Sequence, residues 1–407
     1  MLKNNGFHNR HSPILRAFSP LSLFSGGAPG AWYDPSDYGA TGTLFQDSAG
    51  TTPVTAVEQP VGLMLDKSQG LALGPALISP ETGPYVSAPA GVTAVGDSAL
   101  SIVDGAVRVT VTASVNASRM QIVFNGTAGV TYKVQISIAS NFGVVPAAFV
   151  NVTPSSSTTL VAGSSVLTLY LTAVATGAIT LRLYPRATAA ASQVVGDYVE
   201  FSNISVKELP GNHAFQSTSA SRPVLKIDGN GKLYLKFDGV DDSLSTNSIS
   251  FTSTDKMSVF AGVRKLSDAA RGMIVELSAT SASNNGTFGM TAPNTASATY
   301  AFESKGTVLT DAIGTPFTAP LTSVLSGLSA ILTDSNILRV NGAQADSDTS
   351  DQGTGSYGNY PLYIGRRGGS SLPFSGHLYS LIIVGKAVAA GELSSTETYV
   401  NSKTGAY

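Results

Sequence analysis

Three aspartates crowd one short stretch of the chain, Asp238, Asp241 and Asp242. Carboxylate oxygens gathered in a turn are the ligands a calcium ion takes. The same side chains also accept turn N–H groups and so stabilise the turn without any ion. Their spacing matches no calcium-binding loop, so local capping is the reading, and no metal or cofactor is expected. A second concentration lies in GTGSYGNYPLYIGRRGGSSLPF, residues 353–374. Tyrosine offers a flat apolar face with a polar tip, and arginine offers forked donors; both suit a sugar or a protein partner. Tyr357 and Tyr360 are the candidate stacking surfaces, and Arg366 and Arg367 the candidate donors. Tyr363 and Ile364 read as core residues of a strand.

Catalytic constellations are hard to find. Cysteine is absent and there are four histidines, His8, His11, His213 and His377. A thiol nucleophile is excluded, and the histidines have no zinc-ligand spacing. His377 reads as a solvent-facing strand residue. Glycoside hydrolysis needs two carboxylates flanking the scissile bond, but Glu276 and Glu303 stand isolated in separate apolar or mixed segments. The Gly-Ser stretches lack the spacing of a nucleophile elbow, and no glycine-rich run ends in Gly-Lys-Ser/Thr. No catalytic residue is assigned, and the chain is read as a non-enzyme.

The elements that must carry these residues are strands. Val107, Val109 and Val111 alternate with polar residues, as do Tyr132, Val134, Ile136 and Ile138, and Leu233, Leu235 and Phe237. A period of two is that of a half-buried strand. Further strands are expected at 167–171, 179–183, 196–209, 258–263, 273–277, 329–332, 337–340, 362–364 and 378–384. Asp334-Ser335-Asn336 and Asn341-Gly342 are hairpin-type turns, and GELSSTETYVNSKTG, 391–405, is the one helix-like segment. The fold class is therefore all-β, with two antiparallel β-sandwich (jelly-roll) domains preceded by an extended N-terminal docking arm. The divisions are an arm at 1–30, a docking or connector segment at 31–75, a sandwich at 76–208, and a second sandwich at 209–407 that begins at the linker Leu209-Pro210-Gly211-Asn212. In the arm, Phe7, Phe18, Leu23 and Phe24 are costly to leave in water, so it is expected to order on a partner. In the connector, Trp32, Tyr33 and Phe45 are expected to staple the segment onto a neighbouring sandwich.

Bulk properties agree with such a chain. Of 407 residues, 43% are hydrophobic and 12% charged, and the net charge is −2. Charged residues usually make up about a quarter. No global field recruits nucleic acid, and no apolar run approaches the ~20 residues that span a bilayer. Nothing between Lys133 and Arg182 is charged, which suits either a Ser/Thr-rich surface or one packed against another subunit.

Several motifs resemble known families. GKLYLKFDGVDDSLST at 231–246, PLYIGRRGG at 361–369 and FSGHLYSLIIVGKAV at 374–388 resemble, in order and separation, laminin-G-like, concanavalin A-like sandwiches, above all those of bacteriophage structural proteins. AWYDPSD, LFQDSAGTTPVT and VGLMLDKS, within 31–75, resemble a stretch found in phage and prophage virion proteins. GDYVEFSNISVKEL, 196–209, resembles the last strand of jelly-roll carbohydrate-binding modules, with Ser202 where that family carries a calcium-serving aspartate. The resemblance implies a non-enzymatic virion protein, made in the bacterial host cytoplasm and exposed on the particle surface. It would bind other virion proteins through residues 1–75, assemble as a homo-oligomer, and contact host-surface glycans as a tail fibre, spike or receptor-binding component. Alternatives are a ligand-free capsid or tail decoration protein, and a polysaccharide depolymerase.

Overall fold

The fold is that of a computed structural model, which describes residues 18–141, 144–153, 158–161, 166–186, 188–278, 280 and 283–407. The arm positions before residue 18 lie outside the described residues. The class is all-β: twenty-eight strands fall into four antiparallel sheets, with a single α-helix, Ala390–Thr404, among the described residues. Alternating strands pair into two sandwiches because each has one apolar face to hide.

The first sandwich packs a six-stranded sheet on a five-stranded one. Its core takes the inward residues of the alternation, among them Val107, Val109, Tyr132, Val134, Ile136, Leu169, Leu171, Ile179, Leu181 and Phe201. The long last strand, Tyr198–Leu209, slips register between Phe201 and Asn203. Ser202 therefore lies at a bulge, and its carbonyl accepts the Gly83 N–H at 3.1 Å.

The second sandwich packs an eight-stranded sheet on a nine-stranded one. Its inward residues include Leu235, Phe237, Val259, Ala261, Val275, Leu277, Phe288, Phe302, Leu362, Ile364, Leu381 and Ile383. The expected strand at 329–332 ends at Ala330; Ile331–Thr333 turns as a 3-10 element and Asp334 takes a left-handed φ of 51°. The helix at 390–404 covers the outer face of the eight-stranded sheet, with Val400 buried against Phe260 and Trp32.

The segment 31–75, expected to connect and dock, is built into this second sandwich. Strand Gly30–Tyr33 pairs with Leu381–Val384, and Leu44–Phe45 pairs with Leu63–Met64 in the nine-stranded sheet. Met64 is in turn opposite Ala214, and Leu63 opposite Phe215. The first sandwich is thus inserted between two neighbouring strands of the second, and the chain returns beside the point where it left. Residues 18–24 are also used internally: Leu23 and Phe24 are buried with Trp32, Phe260 and Val384. Leu23 and Phe24 are thus hidden within the chain itself, Phe18 packs partly buried against them, and Phe7 lies outside the described residues.

The two crossings of the junction are held by a buried polar hub. Asp66, fully buried, accepts the Trp32 N–H at 2.8 Å, the Ser68 N–H at 2.8 Å and the Asn212 N–H at 2.7 Å. The Asp66 N–H donates to His213 Nδ1 at 2.9 Å, and Tyr33 donates its hydroxyl to the Asn212 carbonyl. Burial lowers the His213 pKa, with Asp66 opposing it, so the ring fits its role as a neutral acceptor at Nδ1.

Candidate functional site

The chemistry-bearing residues of the second sandwich meet on the outer face of its nine-stranded sheet. Tyr363 is opposite Glu276, Glu276 opposite Gly289, Gly289 opposite Glu303, and Glu303 opposite Asp311. Opposed residues share a face, so the five form one row across the sheet. Their in-line neighbours Leu277, Phe288, Phe302 and Leu362 point the other way, into the core. Strands lie about 4.8 Å apart, so the Cα atoms of Glu276 and Glu303 are separated by roughly 10 Å. Gly289 keeps the space between them open: a Cβ there would stand 3.3 Å from Glu303 Oε2 and 3.6 Å from Met273 Cε.

Both glutamates are buried, at 0% and 1% exposure, although they face away from the core. Two arginines cover them. Arg367 Nε lies 3.0 Å from Glu276 Oε2, and its Nη2 is 3.7 Å from Glu303 Oε2. Arg271 pairs with Glu303 Oε1. Burial, with Arg367 beside it, lowers the Arg271 pKa, and burial raises that of Asp311. Glu303 Oε2, Arg271 Nε and Asp311 Oδ1 are buried without a hydrogen-bond partner. Each such atom carries a desolvation cost that a bound polar group would relieve. The two glutamates read as isolated in sequence are therefore parts of one cluster. A guanidinium stands between them, where glycoside hydrolysis needs the scissile bond and a protonated carboxyl.

The four residues proposed from the loop are divided by the structure. Tyr357 is 1% exposed and cannot offer a stacking surface. Its ring meets Phe288 edge-on at 6.2 Å, its hydroxyl lies 2.8 Å from Ser304 Oγ, and burial pushes its pKa up to about 12. Tyr360 is half-buried on the core side. Arg366 ties down its own turn, donating to the Gly369 carbonyl at 3.3 Å and the Ser370 carbonyl at 2.8 Å. Arg367 alone joins the cluster. The aromatic beside it is Tyr363, which is half-buried and lies on the outer face, not in the core. Strand alternation counted from Leu362 and Ile364 would have found it.

The aspartate turn is as compact as its spacing suggested, with carboxylate oxygens of Asp238, Asp241 and Asp242 within 4.8 Å of one another. Asp238 Oδ1 accepts the Val240 N–H at 2.8 Å, Asp242 Oδ2 accepts the Asp238 N–H at 3.0 Å, and Asp241 Oδ2 accepts from Ser221 at 2.8 Å. Burial and then Asp238 push the Asp242 pKa up to about 7. His377 is half-buried and does not simply face solvent: its ring stacks on Tyr234 at 3.9 Å.

No family model matches the chain, and no curated protein does. Among solved structures, the Ruminococcus gnavus IT-sialidase CBM40 bound to alpha2,3 sialyllactose superposes with a TM-score of 0.30 at 13% identity, covering 35% of this chain and 83% of that one. The binding domain of Paraclostridial Mosquitocidal Protein 1 gives a TM-score of 0.33 at 13% identity, covering 46% and 49%. A structure concerning ganglioside-dependent cell entry of botulinum neurotoxin type C gives 0.33 at 9%, covering 45% and 48%. This chain spans about half the length of the two toxin chains. Likeness at this level carries no argument about ligand or activity.

Proposed function

We propose that the protein is a non-enzymatic binding protein of a bacteriophage particle, and that the outer face beside Tyr363 contacts a host-surface glycan. The observation that supports this most is the row itself: a half-buried tyrosine next to two carboxylates and two arginines, in which Glu303 Oε2 and Arg271 Nε make no hydrogen bond. A sugar presents an apolar C–H face that packs on an aromatic ring, and hydroxyls that donate and accept at once. The same cluster argues against turnover, because Arg367 occupies the space between the glutamates. Assignment to a virion rests on the sequence resemblance alone.

The decoration reading draws on a different feature, the uncharged stretch between Lys133 and Arg182, which suits a surface packed against other subunits. The deciding experiment is a glycan array probed with the intact chain and with Tyr363→Ala, alongside a reducing-end assay. The expected outcome is saturable binding, roughly thirtyfold weaker in the variant, with no sugar released. Absence of binding by a folded chain leaves the decoration reading. Release of sugar that is lost in Glu276→Gln or Glu303→Gln identifies a hydrolase.

A further inference from the structure

A second row of charged side chains lies across the outer face of the eight-stranded sheet. Lys236 is opposite His377, and His377 opposite Arg264. With strands about 4.8 Å apart, an ammonium and a guanidinium straddle the imidazole from either side. Tyr234 stacks on that imidazole with centroids 3.9 Å apart and planes 16° from parallel, and Tyr379 meets it edge-on at 6.3 Å. The stack fixes the ring's orientation and shields one of its faces.

This row is not electrically balanced. Among the described residues, neither Lys236 nor Arg264 has a carboxylate oxygen within ion-pair distance, although Lys236 and Asp242 attract one another from further off. The acids nearest the row make their hydrogen bonds elsewhere: Asp238, two residues along the strand from Lys236, accepts the Val240 N–H, and Asp242 accepts the Asp238 N–H. Asp228 Oδ1 accepts the N–H groups of Asn230 and Lys232 at 2.8 and 2.9 Å, and its Oδ2 accepts the Tyr379 hydroxyl at 3.3 Å. Glu58 is paired with Lys226. His377 Nδ1 is buried with no hydrogen-bond partner. Burial, then Arg264, then Lys236 lower the His377 pKa to about 4, against a smaller opposing effect of Asp228. Two cations without a close ion pair and a ring nitrogen without a hydrogen bond therefore lie in one row of the sheet. An oxyanion resting there would accept charge-assisted hydrogen bonds from both cations and from the imidazole. It would also relieve the repulsion between them.

We propose that the Lys236–His377–Arg264 row binds an oxyanion, the carboxylate or sulfate group of an acidic saccharide. The saccharide half of this statement rests on the glycan reading above; the oxyanion half does not.

The test begins with inorganic sulfate titrated into the full chain, with chloride at equal ionic strength as control, and follows the imidazole resonances of His377. A saturable shift specific to sulfate is expected, with the apparent His377 pKa moving upward from about 4. The response should be lost in the double variant Lys236→Gln, Arg264→Gln. His377 resonances that ignore sulfate in the unaltered chain, or that respond equally in a folded double variant, overturn the proposal. The second arm compares glucuronate-terminated, sulfated and glucose-terminated oligosaccharides. Binding of one acidic class should weaken roughly tenfold in the double variant, while glucose-terminated chains bind both proteins alike. Which acidic class responds distinguishes carboxylate from sulfate ester. A sulfate response without binding of any acidic saccharide supports the oxyanion site and overturns its saccharide ligand, while the glycan reading at Tyr363 is decided separately by the array.

Discussion

Tyr357 fills the core of the second sandwich between Phe288 and the hydroxyls of Ser304 and Ser329, which are themselves 2.7 Å apart. Tyr357→Ala removes a buried ring and leaves a cavity, at a cost of about 3 to 5 kcal/mol. Tyr363→Ala, on the outer face, should change the thermal midpoint little. Melts of the two variants should therefore differ clearly, and equal midpoints would contradict the assignment of faces. Asp242 supplies a pH prediction. Burial pushes its pKa up to about 7 from the ordinary carboxylate value of 3.8, so the folded state favours the protonated acid. The resulting penalty is absent below the unfolded pKa, grows as pH rises, and is complete above the folded one. Asp242→Asn should melt higher than the unaltered chain at pH 8, with the advantage shrinking toward pH 5. A difference independent of pH would show that Asp242 titrates normally.

At the scale of elements, the strand Gly30–Tyr33 and the helix Ala390–Thr404 are locked together through Asp34. Its Oδ2 accepts from the Tyr399 hydroxyl at 2.9 Å and from Lys403 Nζ at 3.0 Å, while Lys67 lies at 3.7 Å. Burial opposes ionisation of Asp34, but Lys403, Ser36 and Lys67 more than offset it and hold the carboxyl below its usual value. The stability it contributes is present above the unfolded pKa and lost as pH falls through the folded one. Asp34→Ala leaves Lys403 with Ser36 Oγ and Lys67 with Asp37, and removes the buried acceptor between them, at a cost of about 2 kcal/mol. Amide exchange should accelerate across 390–404, and unchanged protection of the helix would sink this account. The AWYDPSD motif therefore serves the chain's own packing: Trp32 meets Tyr399 edge-on at 5.9 Å, and Asp34 pins the helix.

At the scale of the whole molecule, the inserted sandwich suggests a clean excision. Because Leu63–Met64 pairs directly with Ala214–Phe215, a short Gly-Ser loop in place of residues 68–210 should let the second sandwich fold alone. The excision removes contacts at the junction: Phe45, Leu63 and Leu65 lose Tyr170 and Leu209 from their cluster, Asp66 loses the Ser68 N–H, and the Ala49 carbonyl loses the Tyr170 N–H at 2.8 Å. A cooperative melt of the excised protein is expected. A chain that fails to fold would show that the first sandwich supports the second. Deleting residues 1–30, by contrast, removes Leu23 and Phe24 from their cluster and should destabilise the second sandwich.

Much of the fold was legible along the chain, since alternation of apolar and polar residues is a local property with a period of two. Thus the strands at 107–111, 132–138, 233–237 and 378–384, the Asn341-Gly342 turn and the terminal helix could be read without knowing what they touch. The capping by Asp238 and Asp242 was legible for the same reason, since their partners are the turn's own N–H groups, whereas Asp241 reaches Ser221 across the fold. Which strands became neighbours was not legible, because pairing joins residues far apart in sequence through hydrogen bonds that any sequence can make. Pairing alone placed Gly30–Tyr33 beside the final strand. It also set Glu276 and Glu303 on either side of Gly289 and lined Lys236 up with His377 and Arg264. Burial then decided between the tyrosines: Tyr357 lies in an irregular segment with no alternation to report its direction, and only the packed core determined that its ring points inward.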